Sequence, residues 1–109
     1  MNTLAQLERG LWQLRNLETN AVRPQPVCLG SPRLLLQTEH RGRPCSHLLV
    51  AQDERSATVH YTCPASGYGQ TLLKLETPRL AQIDTQGIVD GRPFSYRLQA
   101  RRIGSCPGR

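Results

Sequence analysis

Large side chains and long apolar runs are scarce in this sequence. Aromatic residues make up only 5% of the 109 residues, against nine glycines and eight prolines. No run approaches 18 apolar residues, so we expect no segment that spans a membrane. A chain of this length suits one domain, which we place at residues 1–109. Such a domain has a thin core and gains much from covalent cross-links.

The usual cysteine spacings of metal sites are also absent, although there are four cysteines, at positions 28, 45, 63 and 106. No CxxC pair occurs, which argues against zinc-ribbon, zinc-finger and thioredoxin-like sites. Four cysteines in a short chain are otherwise typical of two disulfides in a periplasmic or secreted protein. We therefore predict that location, with no metal and no cofactor; free buried thiols or a metal site are the alternatives.

The first ten residues, MNTLAQLERG, have neither the basic region nor the apolar region of a signal peptide. We expect this sequence to be the mature form of an exported protein with an added initiator Met. A cytosolic protein is the alternative interpretation.

The second half of the chain alternates between apolar and polar residues, the period of a β-strand. A turn at residues 53–55 would join the first two of these strands into a hairpin. Its favoured register puts eight side chains on one face: Ala51 opposite Ala57, Leu49 opposite Val59, His47 opposite Tyr61, and Cys45 opposite Cys63. A slip of one residue would turn the apolar set outward.

Three further strands follow, with turns predicted at residues 77–79 and 90–93. Their inner positions are predicted to be Thr71, Leu73 and Leu75, then Ala81, Ile83, Thr85, Gly87 and Val89, then Phe94, Tyr96, Leu98 and Ala100. The loop at residues 64–70 contains glycines but does not lead from a strand into a helix, as a phosphate-binding loop does.

The first half of the chain is less regular. Residues 10–18 fit a strand with Trp12 and Leu14 on one face, and the proline-containing stretch 23–30 fits an edge strand or an extended segment. A short helix is predicted near residues 31–38, with Ser31 as its N-cap and Pro32 at its first position. We predict an all-β fold, a strongly curved antiparallel meander or small barrel of about 6–8 strands with this one helix.

The predicted hairpin also suggests how the cysteines pair. Cysteines directly opposite each other in an antiparallel pair lie close enough to bridge, so we expect a Cys45–Cys63 disulfide. Cys28–Cys106 then follows by elimination. Four cysteines allow three connectivities, and the other two remain open.

The net charge of +6 comes from thirteen arginines and one lysine, spread from Arg9 to Arg109. The best candidate for an anion-contact surface is the outer face of the last strand and its neighbourhood, with Arg92, Arg97, Arg101 and Arg102. Proteins that bind single-stranded nucleic acid usually add aromatic rings for base stacking, and here the predicted inward direction of Phe94 and Tyr96 removes that platform. A solvated basic surface is the simpler interpretation.

We predict no catalytic residues. In the predicted register His60 faces away from Cys63, and a His47 beside Tyr61 is more typical of a polar pair in a core than of a nucleophile's base. The carboxylates fall in turns or on outward faces, where acid–base catalysis by a buried pair is not expected. An enzyme that uses His47 or His60 is the alternative.

Several motifs together resemble a known family. LERGLWQLR at residues 7–15, an isolated Cys-Leu at 28–29, a hairpin with two cysteines and the ending RRIGSC at 101–106 resemble the domain-of-unknown-function family thirty-six-seventeen. YTCPASGYGQTLLKLETPRLAQIDTQGIVDG, at 61–91, is similar to its sphingomonad-type members. The resemblance implies a small exported β-rich bacterial protein, usually made with a signal peptide, whose four cysteines form structural bridges. It implies no activity, ligand or catalytic residue.

The GLW start is also similar to the Gly-x-Trp of lipocalins, in which an arginine near the last strand packs against the tryptophan. Gly10, Trp12 and either Arg101 or Arg102 would take these parts. By this analogy the sheet would curl around a small apolar ligand, but we expect a concave face filled by its own side chains: Leu49, Val59, Leu73, Ile83, Phe94, Tyr96 and Leu98.

The leading functional hypothesis is an exported, non-enzymatic binding or structural module of the periplasm or envelope. Two alternatives remain. One is a polyanion-binding protein that contacts nucleic acid or lipopolysaccharide through the arginines named above. The other is a calycin-like carrier of a small apolar ligand.

Overall fold

Seven antiparallel strands form one sheet that curls into a half-barrel. The computed structural model describes residues 3–107. The strands are β1 (Gly10–Asn16), β2 (Val27–Leu29), β3 (Ser46–Gln52), β4 (Ser56–Cys63), β5 (Gly67–Thr77), β6 (Leu80–Val89) and β7 (Arg92–Gly104), and they lie in the order β2-β1-β7-β6-β5-β4-β3. The predicted all-β fold is confirmed, with five strands in meander and two from the N-terminal part.

One short α-helix, α1 (Arg33–Leu36), lies between β2 and β3, and single 3-10 turns occupy Leu4–Gln6 and Thr38–His40. The helix falls inside the predicted range 31–38 but begins after Pro32, which is its N-cap. Ser31 therefore lies one residue before the N-cap, rather than at the N-cap as predicted. Its Oγ still accepts a hydrogen bond from the Arg33 N–H, at 3.3 Å.

The hairpin between β6 and β7 has a two-residue turn. Its two central residues, Asp90 and Gly91, have φ angles of 49° and 81°. Two successive left-handed residues are typical of a type I′ turn, whose twist matches that of the flanking strands. The turn lets β6 and β7 pair over the whole length of β6, from Leu80 opposite Arg101 to Val89 opposite Arg92.

The concave side of the sheet is a packed core. Val59, Leu73, Ile83 and Leu98 are almost fully buried there, as predicted from the alternation. The remaining volume is filled by Trp12 and Leu14 of β1, Val27 and Leu29 of β2, and Leu35 and Leu36 of α1. The helix packs against β2, β5 and β6, so the interior is occupied by the protein's own side chains.

A hydrogen bond fixes α1 on this face. Thr71 Oγ1 donates to the Leu36 carbonyl oxygen at 2.7 Å and lies 2.8 Å from Thr85 Oγ1, and both threonines are buried. The hydroxyls therefore satisfy a carbonyl at the end of the helix that would otherwise be buried without a partner.

Strand β3 departs from the prediction. The predicted pairs His47–Tyr61 and Leu49–Val59 are present, but Ala51 lies opposite Thr58 because a bulge intervenes after Leu49. Leu49 and Ala51 are exposed rather than part of the core. The physical reason is that β3 is an edge strand with one neighbour, and a bulge turns such a strand away from the face it would otherwise cover.

One agreement and two smaller differences concern the remaining strands. The edge position of β2 agrees with the proline-containing sequence before it. The predicted loop at 64–70 is shorter, because β5 already begins at Gly67. Phe94 and Tyr96 lie on the predicted face but stay partly exposed near the end of the half-barrel.

Candidate functional site

The two disulfides are Cys28–Cys106 and Cys45–Cys63, with Cα–Cα distances of 5.4 and 4.2 Å. Both predicted pairs are therefore confirmed, and no cysteine among residues 3–107 is free. One bridge ties the β2 edge to the segment after β7, and the other joins the start of β3 to the end of β4. Two disulfides indicate an oxidising, extracytoplasmic environment.

The four arginines predicted to contact anions do not form one cluster. Arg92 begins β7, and ten residues of extended strand, about 30 Å, separate it from Arg102. Arg102 also lies on the opposite face of β7 from Arg97 and Arg101, because successive side chains alternate. Its Nε donates to the Arg9 carbonyl at 2.7 Å and lies 3.9 Å from a Glu8 carboxylate oxygen. The four arginines therefore do not share one surface, and their contact with anions stays a prediction.

The structure adds a different arginine to the two that remain. Arg15 of β1 lies opposite Gln99 of β7, and Arg97 and Arg101 flank Gln99 on the same, convex face. Diagonal neighbours in a sheet are about 7–8 Å apart, so the three side chains form a group that we call the arginine triad. Glu18, 4.0 Å from Arg97, and Asp84, opposite Arg97, offset part of its charge.

Gly10, Trp12 and Arg102 come together as the lipocalin analogy predicts, with Arg102 rather than Arg101 in the arginine position. Gly10 has a φ of +144°, and a Cβ there would lie 2.4 Å from Arg102 Nε. Trp12 is fully buried and donates its Nε1 hydrogen to the Glu8 carbonyl at 3.0 Å. These contacts close the end of the core near β1, and likeness at this level assigns no function.

His47 and His60 lie on opposite faces of the sheet. His47 is half-buried beside Tyr61, and its Nε2 is buried without a hydrogen-bond partner among residues 3–107. Burial, together with the nearby Arg33 guanidinium, lowers the pKa of His47, because both disfavour its charged form. His60 lies on the convex face with its ring stacked on Tyr68.

A third histidine, His40, lies in the Thr38–His40 turn, and no role was predicted for it from the sequence. It is 1% exposed, with Nδ1 2.9 Å from Tyr61 Oη and Nε2 3.2 Å from the Ser66 carbonyl oxygen. Gln37 donates from its Nε2 to the His40 and Arg43 carbonyls and so holds this segment in place. Short-range sequence patterns carry no sign of this burial, because every partner except Gln37 and Arg43 is distant in the chain.

The pKa values of the two tyrosines near the Thr38–His40 turn, Tyr61 and Tyr96, are raised. Burial is the largest cause of the raised pKa of Tyr61, and it also raises the pKa of Tyr96. Tyr96 Oη lies 2.9 Å from Thr38 Oγ1, and the Arg23 guanidinium lies 5.3 Å from the centre of its ring. This cluster anchors the Thr38–His40 turn to the sheet, which is a structural role.

An open groove of about 430 Å³ lies on the convex face across β4, β5, β6 and the start of β7. The rings of His60 and Tyr68 form one wall, with centroids 6.0 Å apart and planes inclined by 26°. We call it the convex groove, and its lining residues are His60, Tyr68, Gln70, Gln86, Gly87, Ile88, Pro93 and Phe94. None of the eight is an arginine, lysine, aspartate or glutamate.

The floor of the convex groove is formed by the amide side chains of Gln70 and Gln86, which lie directly opposite each other on β5 and β6. Ile88 of β6 and Pro93 of β7, which lie directly opposite each other, also line it. The result is an aromatic wall beside two amides that each offer a donor and an acceptor.

A second concavity, of about 440 Å³, lies near the β3–β4 turn, and three of the charged residues that line it, Asp53, Arg55 and Glu76, already have partners. Arg55 donates to the carbonyls of Leu75 and Glu76, and the Asp53 carboxylate accepts from the Arg55 and Ser56 N–H groups. The Glu76 carboxylate accepts from Gln82 at 2.7 Å. These hydrogen bonds stabilise the β3–β4 turn and the strand ends beside it.

Among residues 3–107, no three or more histidine, cysteine, aspartate or glutamate side chains are grouped so that they could hold a metal ion. None of the helices in that range is long and apolar enough to cross a membrane.

No family model, no curated protein and no solved structure matches this chain. The resemblance to domain-of-unknown-function family thirty-six-seventeen therefore stays a prediction from sequence. The two disulfides and the convex groove are the features of the structure that bear on function.

Proposed function

We propose that this protein is an exported, non-enzymatic binding module of the periplasm or the cell envelope, and that the convex groove is its binding site. The observation that carries the proposal is the stacked His60–Tyr68 wall beside the Gln70–Gln86 pair in an open concavity. The two disulfides support the exported location.

The chemistry of the groove favours an uncharged ligand with a ring face and hydroxyl or amide groups, as in a glycan. An aromatic surface gains energy by covering an apolar ring face, and amide side chains hydrogen-bond to neighbouring polar groups. Because the chain carries a net charge of +6 and yet lines this groove without arginine or lysine, an anionic ligand is not favoured there. Ligand sites typically combine an apolar wall with a few placed polar groups.

The test is a titration of the protein with two neutral oligosaccharides, chitotriose and cellotriose, followed by NMR. We expect at least one to bind with a Kd of about 1 mM or tighter and to shift amide signals of β5 and β6. Tyr68→Ala should raise the Kd at least about tenfold, because it removes the stacking surface. Arg101→Ala, an exposed change outside the groove, is the matched control and should leave the Kd unchanged.

Two results would overturn this function. The first is the absence of binding by either oligosaccharide in the accessible concentration range. The second is binding that Tyr68→Ala and Arg101→Ala weaken equally, since the convex groove would then contribute no more than any other part of the surface.

The arginine triad supports a second candidate, binding of a polyanion such as lipopolysaccharide or nucleic acid. The specific observation is that Arg15 joins Arg97 and Arg101 on one face, although it comes from the other end of the sequence. Affinity for lipopolysaccharide or single-stranded DNA should then fall steeply with salt. Replacement of the three arginines by alanine should weaken binding, whereas Arg92→Ala should not; binding that is insensitive to salt would contradict this candidate.

The structure offers no comparable observation in favour of a carrier of apolar ligands, because Leu35, Leu36 and Trp12 fill the concave side of the sheet.

A further inference from the structure

The edge strand β3 is the most exposed apolar element among residues 3–107. On one side it pairs with β4, from Ser46 opposite Thr62 to Gln52 opposite Ala57. On its other side no described strand lies beside it. Backbone N–H and C=O groups on such a free edge can pair with a strand from another chain.

The side chains of β3 are not those of a protected edge. Leu48, Leu49 and Val50 are 65%, 47% and 54% exposed. Ser46–Gln52, with the sequence SHLLVAQ, includes no arginine, lysine, aspartate, glutamate or proline. Natural edge strands usually carry charges or prolines that prevent pairing. The bulge after Leu49 is the one protective feature here, and it leaves three consecutive apolar side chains in solvent.

The opposite edge of the sheet is different. Strand β2 has only three residues, Val27–Leu29, and Pro24 and Pro26 precede it. The Cys28–Cys106 bridge also ties this strand to the segment after β7. Pairing of β3 with the β2 edge of another molecule is therefore unfavourable, and a second β3 is the better match.

The charges at the two ends of β3 indicate which orientation is favourable. Arg41 precedes the strand and Glu54 follows it, and these two charges carry the argument. Arg43, also before the strand, lies 3.4 Å from Asp90, and Asp53, also after it, accepts hydrogen bonds from the Arg55 and Ser56 N–H groups. Arg55 comes next, but it turns its guanidinium to the carbonyls of Leu75 and Glu76. When two copies pair antiparallel, the basic end of each β3 lies beside the acidic end of the other.

We propose that β3 is the pairing edge of a homodimer, in which two copies of this chain join antiparallel about a two-fold axis and extend the sheet through both molecules. The apolar side chains Leu48, Leu49 and Val50 of each copy then cover those of the other. A symmetric interface of this kind presents the same patch twice. A seven-residue strand pair is smaller than a standard interface, so the dimer is weak, with a Kd in roughly the micromolar to millimolar range.

The first test is sedimentation equilibrium of the disulfide-bonded protein over a series of concentrations. The wild type is expected to show a concentration-dependent monomer–dimer equilibrium. Leu48→Lys should raise the dimer Kd at least about tenfold, because it puts like charges at the centre of the edge. Ile103→Lys is the matched control: this side chain on β7 is also apolar and 48% exposed, and its replacement should leave the Kd unchanged.

The second test uses the end charges and does not depend on the apolar contacts. Arg41→Glu alone and Glu54→Arg alone should each weaken the dimer roughly threefold or more at low salt, since each creates like-charged neighbours twice in the dimer. The double variant exchanges the charges and should restore the wild-type Kd. Far-UV circular dichroism of each variant confirms that the exposed changes leave the fold intact.

A wild type that stays monomeric at about millimolar concentration, the weak end of such interfaces, overturns the proposal. A dimer that Leu48→Lys and Ile103→Lys weaken equally also overturns it, because the effect would then be one of net charge. Failure of the double charge exchange to restore the dimer overturns the antiparallel orientation. These outcomes are independent of glycan binding in the convex groove.

Discussion

His40 Nδ1 lies 2.9 Å from Tyr61 Oη, and this contact joins the turn after α1 to the centre of β4. The second ring nitrogen, Nε2, lies 3.2 Å from the Ser66 carbonyl oxygen, which can only accept. The Nε2–H tautomer satisfies both contacts, because Nδ1 then accepts the Tyr61 hydroxyl hydrogen. One side chain therefore connects the turn after α1 to two points, 21 and 26 residues further along the chain.

Removal of this side chain should be costly. His40→Ala leaves the Tyr61 hydroxyl and the Ser66 carbonyl without their partner and opens a cavity, so we expect a loss of about 2–4 kcal/mol in the free energy of unfolding. Urea denaturation of the disulfide-bonded protein measures it. His60→Ala on the convex face is the control and should cost less than about 1 kcal/mol; equal losses would contradict the assigned role.

Gly69 should not tolerate a side chain. A Cβ at this position would lie 2.5–2.7 Å from three atoms of the Tyr61 phenol group, and that group is fixed by His40. We expect Gly69→Ala to destabilise the protein by about 1–3 kcal/mol, as overpacking of a core does. Gly30→Ala is the control, since a Cβ there meets nothing within 4 Å. Thermal unfolding of both variants checks the difference, and a neutral Gly69→Ala would show that β5 and Tyr61 move apart easily.

The lowered pKa of His47 predicts a loss of stability in mild acid. Burial and the nearby Arg33 disfavour the imidazolium in the folded state, so the unfolded chain binds more protons below its pKa of about 6.5. This contribution is present above that pH and is lost as the pH falls through the folded-state pKa. His47→Gln should lose less stability than the wild type between about pH 7.5 and pH 5.5, on either side of the unfolded-state value. Urea midpoints at the two pH values measure this, and parallel losses would be the contrary result.

The two disulfides should contribute unequally. In the chain-entropy model the Cys45–Cys63 bridge, with a sequence separation of 18, contributes about 3 kcal/mol, and the Cys28–Cys106 bridge, with a separation of 78, somewhat over 4 kcal/mol. Replacement of each pair by alanine, followed by denaturation in urea, should show the larger loss for Cys28/Cys106. The opposite order would mean that the short bridge does more than restrict the unfolded chain.

Much of the sheet could be predicted, because the residue pattern within each strand and turn is enough to identify it. From β4 to β7 the alternation of apolar and polar residues identifies the buried face, and Asp90-Gly91 identifies the turn between β6 and β7. The opposed cysteines were also predictable, since the register that buries Val59 and Tyr61 brings Cys45 and Cys63 together.

The features that could not be predicted depend on how segments distant in the sequence are arranged in the sheet. The arginine triad could not be predicted, because it is the pairing of β1 with β7 that brings Arg15 beside Arg97 and Arg101. Leu49 was assigned to the core because alternation cannot show that a strand lies at an edge or contains a bulge. The convex groove was not found either, since His60, Tyr68 and Gln86 come from three strands and only the register brings them together.

The central claim is that two sulfur bridges hold this small sheet together in an oxidising compartment. The most direct test is peptide mapping of the unreduced native protein by mass spectrometry, with a count of free thiols. We expect no free thiol and two linked peptide pairs, Cys28 with Cys106 and Cys45 with Cys63. Four titratable thiols in the folded protein, or a bound zinc ion, would contradict it.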